Sequence, residues 1–144
     1  MKHPLHPAIV HFPIACWSLA TIGDVASLWL GRPAWWLAGV SMAIGCVVAL
    51  AAMAAGLFEL ARINAASPAM RVARLHLLAA MAAWLSYGAS LFLRLDLQSA
   101  ATALEAPGMF ALATSLLGFA CLATAGWLGG RLVYQYGVGV EADR

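Results

Sequence analysis

The sequence predicts an all-α integral membrane bundle with four transmembrane helices. Hydrophobic residues make up 64% of the chain and charged residues only 10%, whereas soluble domains carry about 25% charged residues. Four apolar stretches each approach the roughly 20 residues that a bilayer core requires, and no strand-like alternation is present. The length of 144 residues suits a single domain covering residues 1–144.

Short polar or turn-forming segments separate the apolar stretches. Gly31, Arg32 and Pro33 form the first turn, because proline is well placed at a first helical position. Breaker residues mark the connection 62–71, and acidic residues with a proline mark the linker 96–108. The predicted spans are therefore, in chain order, residues 7–30, 34–60, 72–95 and 109–132.

The basic residues predict the orientation. With four spans, both termini lie on one side of the membrane, and all the loops are short enough for the positive-inside rule to apply. The other side holds Arg32 and Arg94. The side of the termini holds Lys2, Arg62, Arg71, Arg74, Arg131 and Arg144. We therefore expect both termini in the cytoplasm.

Two classes of function are poorly supported. The net charge is only +2 and the basic residues are dispersed, whereas nucleic-acid binding needs a concentrated basic face. No nucleophile, base and orienting group fall together, so we expect no enzyme activity from the chain on its own.

Ionisable and hydroxyl side chains gather at the predicted cytoplasmic ends of all four helices. Polar groups in or near membrane spans are costly, so they suggest a functional site. The set comprises His6, His11, Glu59, Arg74, His76, Arg131 and Tyr134.

A b-type haem held between helices one and three is one hypothesis for this site. Neutral imidazole is the commonest protein metal ligand, and His11 and His76 are expected about one turn inside their spans. Arg74 or Arg131 would pair with the propionates. His6, nearer the surface, would support a ligand or cap the helix.

Two alternatives remain open for the same residues. A non-haem metal could use His11, His76 and Glu59, with His6 as a further ligand, since three His and one carboxylate suit zinc or iron. Alternatively, the histidines hydrogen-bond to carbonyls and to Glu59, and only hold the helix ends together.

Other polar and small residues have simpler interpretations. Asp24 lies inside helix one and is expected to pair with Arg94 or with a tyrosine hydroxyl, because an unpaired carboxylate there is costly. Glycines of helix four, among them Gly118, Gly126 and Gly130, favour close packing within the bundle, or an interface in a homo-oligomer.

Several motifs resemble the bacterial membrane-protein family known as domain of unknown function twenty-two thirty-one. They are residues 5–14 (LHPAIVHFPI), 23–24 (GD), 56–59 (GLFE), 126–134 (GWLGGRLVY) and 137–140 (GVGV), together with a histidine that opens helix three. The family usually has Asp where Glu59 stands, and an acidic or other polar residue where Arg131 stands.

The resemblance implies a four-helix protein of the bacterial inner membrane. Related domains are sometimes joined to Rieske iron–sulfur or cytochrome-like modules, which suits a redox role. The leading hypothesis is therefore a membrane-embedded haem module that exchanges electrons with a redox protein or membrane complex. The alternative is a structural or partner-binding subunit without a cofactor.

Overall fold

The computed structural model describes residues 5–96 and 103–140. Lys2 and Arg144, which entered the prediction of orientation, lie outside the described residues. The described part of the chain forms four long helices and one short strand pair. In chain order these are α1 (Leu5–Leu30), α2 (Arg32–Leu60), α3 (Pro68–Phe92), β1 (Leu95–Asp96), β2 (Ala103–Leu104) and α4 (Met109–Tyr134).

The helices suit a lipid bilayer. All four are long and apolar enough to cross a membrane, and large apolar side chains cover their outer surfaces. Trp29 is 77% exposed, Phe58 75% and Phe110 80%, which is costly in water and favourable in lipid. The predicted class, an all-α bundle of four membrane-spanning helices, is confirmed.

The third helix differs most from its predicted bounds. It begins at Pro68 instead of 72, because the Ser67 hydroxyl accepts a hydrogen bond from the Met70 backbone N–H and proline fits the first turn. Pro68, which sequence analysis interpreted as a breaker within the connection 62–71, therefore starts the helix. The helix ends at Phe92, since the chain then enters the antiparallel β1–β2 pair.

The first helix begins at Leu5 and continues through Pro13. His6 therefore lies in the first turn, and His11 lies in the same continuous helix. Five residues at 3.6 residues per turn place the two imidazoles roughly 140° apart around the helix.

The bundle consists of two helical hairpins. Helix α1 packs mainly on α2, and α3 mainly on α4, with fewer contacts between the two pairs. We call the end near Leu5, the connection 61–67 and Tyr134 the terminal end. The opposite end, near Gly31 and the β1–β2 pair, is the far end.

A buried ion pair joins the hairpins toward the far end. Arg94 donates to both carboxylate oxygens of Asp24, at 2.7 and 3.1 Å, and also to the Ser90 carbonyl and hydroxyl oxygens. The predicted pairing of Asp24 with Arg94 is confirmed.

Candidate functional site

An apolar cavity of about 470 Å³ lies between the hairpins in the terminal half of the bundle. All four helices contribute to its walls, and most of the wall residues are alanine, glycine or aliphatic. Three ionisable side chains line it: His6, Glu59 and His76.

His6 and His76 face one another across the hairpin boundary. Their ring centres are 6.2 Å apart and the ring planes are nearly perpendicular, at 89°. His6 comes from α1 of the first hairpin and His76 from α3 of the second, and both are half-buried.

Each imidazole is anchored to the partner helix of its own hairpin. Nδ1 of His6 lies 2.7 Å from the Ala52 carbonyl oxygen, and Nδ1 of His76 lies 2.8 Å from the Ala125 carbonyl oxygen. A carbonyl only accepts hydrogen bonds, so both Nδ1 atoms act as donors. In the neutral ring, the proton at Nδ1 leaves Nε2 with a lone pair that can bind a metal ion or accept a hydrogen bond.

Glycine makes room for each ring. A β-carbon at Gly56 would lie 3.1 Å from Nδ1 of His6, and one at Gly129 would lie 3.3 Å from Cε1 of His76. Both distances are shorter than ordinary van der Waals contact. A side chain at either position would therefore push the neighbouring imidazole away from the helix that carries the glycine and into the cavity.

Glu59 supports the start of α1. The backbone N–H of His6 donates to Oε1 of Glu59 at 3.4 Å. A carboxylate is favourable there, because the first N–H groups of a helix lack partners and carry partial positive charge. Glu59 thus holds the helix turn that carries His6.

The structure does not bring His11 to His76. His11 is exposed on the outside of α1 and is not among the cavity residues. The rotation of roughly 140° between positions 6 and 11 turns one imidazole inward and the other outward. His6, instead of the predicted His11, is the histidine of α1 that lies beside His76.

The other predicted cofactor-binding residues, namely the possible propionate partners Arg74 and Arg131 together with Tyr134, also lie away from the cavity. Arg74 is exposed, and Tyr134 is 91% exposed. Arg131 donates from Nε to Oε1 of Gln135 at 2.9 Å, and its guanidinium lies 5.1 Å from the Trp127 ring centre. None of the three lines the cavity.

The non-haem alternative required several ligands around one ion. Among residues 5–96 and 103–140, no group of three or more His, Cys, Asp or Glu side chains is close enough to hold a metal ion. His11 and Glu59 therefore do not complete a protein-only metal site with His76.

An aromatic pair closes the inner end of the cavity. Trp17, which lines the cavity, stacks on Tyr87 with ring centres 4.9 Å apart. The Tyr87 hydroxyl donates to the Trp17 carbonyl and shares a hydrogen bond with Thr21. The cavity is thus separated from the far end by packed side chains and the Asp24–Arg94 pair.

Sequence analysis missed the residues that position the imidazoles, namely Ala52, Gly56, Ala125 and Gly129. Two of them act through a backbone carbonyl, which leaves no mark on residue type. The two glycines are visible in the sequence, but helix four alone offers several others at similar spacing.

Comparison with known protein families gives a match over nearly the whole chain. The family described as "Predicted membrane protein (DUF2231)" matches residues 2–142. No curated protein and no solved structure matches the chain. Because the match covers nearly the whole sequence, the chain belongs to this family of predicted membrane proteins.

Proposed function

We propose that this protein is a membrane-embedded redox module in which His6 and His76 would hold a b-type haem between helices α1 and α3. The observation that carries the proposal is the pair of imidazoles facing each other, each with Nδ1 fixed by a backbone carbonyl. Such anchoring is the usual support for a metal-binding histidine.

The distance between the rings suits one metal ion. An imidazole nitrogen binds a first-row metal at about 2.0–2.1 Å, so ring centres on opposite sides of one ion lie roughly 6 Å apart. The rings of His6 and His76 are 6.2 Å apart. This separation of the ring centres supports one metal ion that both imidazoles would hold, without further protein ligands.

The surrounding cavity suits a large apolar group. Its volume of about 470 Å³ lies within the roughly 300–1,000 Å³ of ligand pockets. Small side chains leave space along its walls. At Gly126, which lines the cavity, no atom of the described residues lies within 4 Å of the β-carbon position.

The chain's own residues bind, orient and shield the group. His6 and His76 would hold the haem through their imidazole nitrogens, while the Ala52 and Ala125 carbonyls fix the tautomer and hold the ring orientation. Trp17 closes the inner end of the cavity. A haem held by two imidazoles would supply one-electron transfer rather than oxygen chemistry. The chain would exchange electrons with a partner redox protein and would not be an enzyme by itself.

The test is the visible spectrum of the detergent-purified protein, oxidised and then reduced with dithionite, after growth with added haem precursor. We expect a sharp Soret band, with resolved α and β bands on reduction. His6→Ala and His76→Ala should each lose this low-spin spectrum. His11→Ala is the matched control, because His11 is exposed outside the cavity, and it should keep the spectrum.

Two results would overturn the proposal. A colourless wild-type protein after haem supplementation would exclude haem. A normal spectrum in both His6→Ala and His76→Ala would exclude these ligands.

A second candidate is a structural or partner-binding subunit without a cofactor, favoured by the hydrogen bonds that already join His6 to α2 and His76 to α4. It predicts a colourless protein in which the same two variants lower stability. At Gly130 on α4, no described atom lies within 4 Å of the β-carbon position. Gly130→Leu would therefore disrupt a partner or a second copy docked there, which co-purification measures.

We also propose that the protein sits in the bacterial inner membrane with both termini in the cytoplasm. Arg62, Arg71 and Arg74 are exposed at the terminal end, whereas Arg94 at the far end is buried in its ion pair. Arg32 is also exposed at the far end, so among the described residues three exposed arginines at the terminal end stand against one at the far end, which supports cytoplasmic termini by the positive-inside rule. In intact cells, an impermeant maleimide should label Ala106→Cys at the far end and spare Ala66→Cys. The reverse labelling would contradict the orientation.

A further inference from the structure

The two hairpins place corresponding residues at a constant separation. Trp17 contacts Tyr87, and Asp24 contacts Arg94, and each pair is separated by 70 residues. The facing His6 and His76 are separated by the same number. Three successive levels of α1 therefore meet α3 in one register, and at every level a residue touches its own counterpart.

Helices α2 and α4 repeat one another in the same way, with a separation of 73 residues. Gly45 packs under Trp17 as Gly118 packs under Tyr87. The backbone bonds repeat as well: His6 bonds the carbonyl four residues before Gly56, and His76 bonds the carbonyl four residues before Gly129.

The cavity walls follow this correspondence. On α2 the cavity is lined by positions 49, 52, 53, 56, 59 and 60, and on α4 by positions 122, 125, 126, 129, 132 and 133. Adding 73 to each α2 residue number gives the corresponding α4 residue number. The two hairpins thus contribute equivalent surfaces to one site.

A two-fold relation explains these three observations together. When two copies of a unit pack around a two-fold axis, equivalent residues meet on that axis. Helices α1 and α3 both start at the terminal end, so the copies are parallel and the axis runs along the bundle, as in membrane proteins with parallel repeats. The His6–His76, Trp17–Tyr87 and Asp24–Arg94 pairs then mark the course of the axis.

We propose that the chain is a duplicated helical hairpin whose binding site lies on this axis, and that Gly56 and Gly129 are equivalent positioning residues within it. Each glycine sets how far one imidazole extends into the cavity. Both imidazoles then lie at the same distance from the axis and would hold a single metal centre there equally. The identity of the metal group as haem rests on the function proposed above. The equivalence of the two half-sites is independent of that proposed function.

The test compares Gly56→Ala and Gly129→Ala with Gly130→Ala. The added methyl group lies 3.1 Å from the His6 ring in the first variant and 3.3 Å from the His76 ring in the second. In the control, which is on the same helix as Gly129 but outside the cavity, it meets no described atom within 4 Å. Each positioning variant should weaken haem retention about tenfold, the lower range for a residue that orients a ligand, while the control retains haem normally.

Nitrogen NMR of ¹⁵N-histidine-labelled protein, recorded without haem, measures the positioning directly. We expect the His6 and His76 rings both to be protonated at Nδ1. Gly56→Ala should shift only the His6 ring signals, and Gly129→Ala only those of His76. A merely structural effect would shift both rings or neither.

The outcomes separate the two proposals. A colourless wild type with the expected NMR shifts would overturn haem and keep the two equivalent half-sites. Normal haem binding with unshifted ring signals would keep haem and overturn the positioning role. A response in only one of the two glycine variants would overturn the equivalence.

Discussion

Removal of the Asp24 carboxylate should be among the most damaging single changes in this protein. The Asp24 and Arg94 residues are 2% and 1% exposed, and their closest contact is 2.7 Å. Asp24→Ala removes both carboxylate contacts of the buried guanidinium, whose hydrogen bonds to the Ser90 oxygens remain. Loss of one member of a buried ion pair costs about 3–5 kcal/mol, so the free energy of unfolding should fall by that amount.

The double variant Asp24→Leu/Arg94→Met isolates the cause. It removes both charges together, and the Ser90 hydroxyl keeps its 2.6 Å hydrogen bond to the Ala111 carbonyl. Replacing a buried pair with apolar side chains is often neutral or stabilising. We therefore expect the double variant to be more stable than Asp24→Ala.

Denaturant unfolding in mixed micelles, followed by tryptophan fluorescence and extrapolated linearly, measures these differences. Glu105→Ala is the control, because Glu105 is exposed and surface changes usually stay within about 0.5 kcal/mol. A loss below about 1 kcal/mol in Asp24→Ala, or a double variant as unstable as the single one, would refute the reasoning.

Three further changes test the cavity and its walls. Gly126→Leu places a larger side chain on the cavity wall and should abolish haem retention, whereas Gly130→Leu, outside the cavity, should retain haem. Equal retention in the two variants, read from the Soret absorbance, would contradict this. Tyr87→Phe removes the bonds to Thr21 and the Trp17 carbonyl and should cost about 1–3 kcal/mol of unfolding free energy; an unchanged denaturation midpoint would speak against it. Glu59→Gln should lower the free energy of unfolding by less than about 1 kcal/mol, since it weakens only the long hydrogen bond to the His6 N–H at the start of α1. A larger loss would mean that Glu59 makes a further stabilising contact.

The fold could be predicted largely from the sequence, because bilayer thickness sets helix length. Four apolar stretches led to four helices, and even the Asp24–Arg94 pair followed from the cost of lone charges in lipid. The bounds of α3 were less predictable. They depend on the Ser67 cap and on the β1–β2 pair, which are local features of its two ends.

Sequence analysis located the cluster of polar side chains at the terminal end, but it paired His76 with the wrong histidine of α1. Counting residues into the span led to His11, which lies five residues, or roughly 7.5 Å, further along the helix than His6. Rotation depends on where the helix begins and how Pro13 is accommodated, and the structure turns His6 inward instead. The anchoring carbonyls of Ala52 and Ala125 could not be predicted, since any residue supplies a carbonyl.

Duplication within one chain also explains why the paired positions differ from one another. In a symmetric dimer of identical hairpins, each residue on the axis meets its own copy. Two aspartates or two arginines at the level of Asp24 and Arg94 would repel strongly in a buried site. Once both hairpins belong to one chain, their sequences can diverge, and opposite charges close the far end with a 2.7 Å ion pair.

The histidine pair at the terminal end has not diverged in this way. Both copies keep a histidine at the paired position, a glycine beneath it, and a carbonyl bond from an alanine. A brace between helices could use any two complementary groups, as the Trp17–Tyr87 and Asp24–Arg94 levels do. One metal bound from opposite sides by the same kind of ligand requires two identical half-sites. The contrast between diverged and identical pairs along one axis therefore favours metal binding over bracing at His6 and His76.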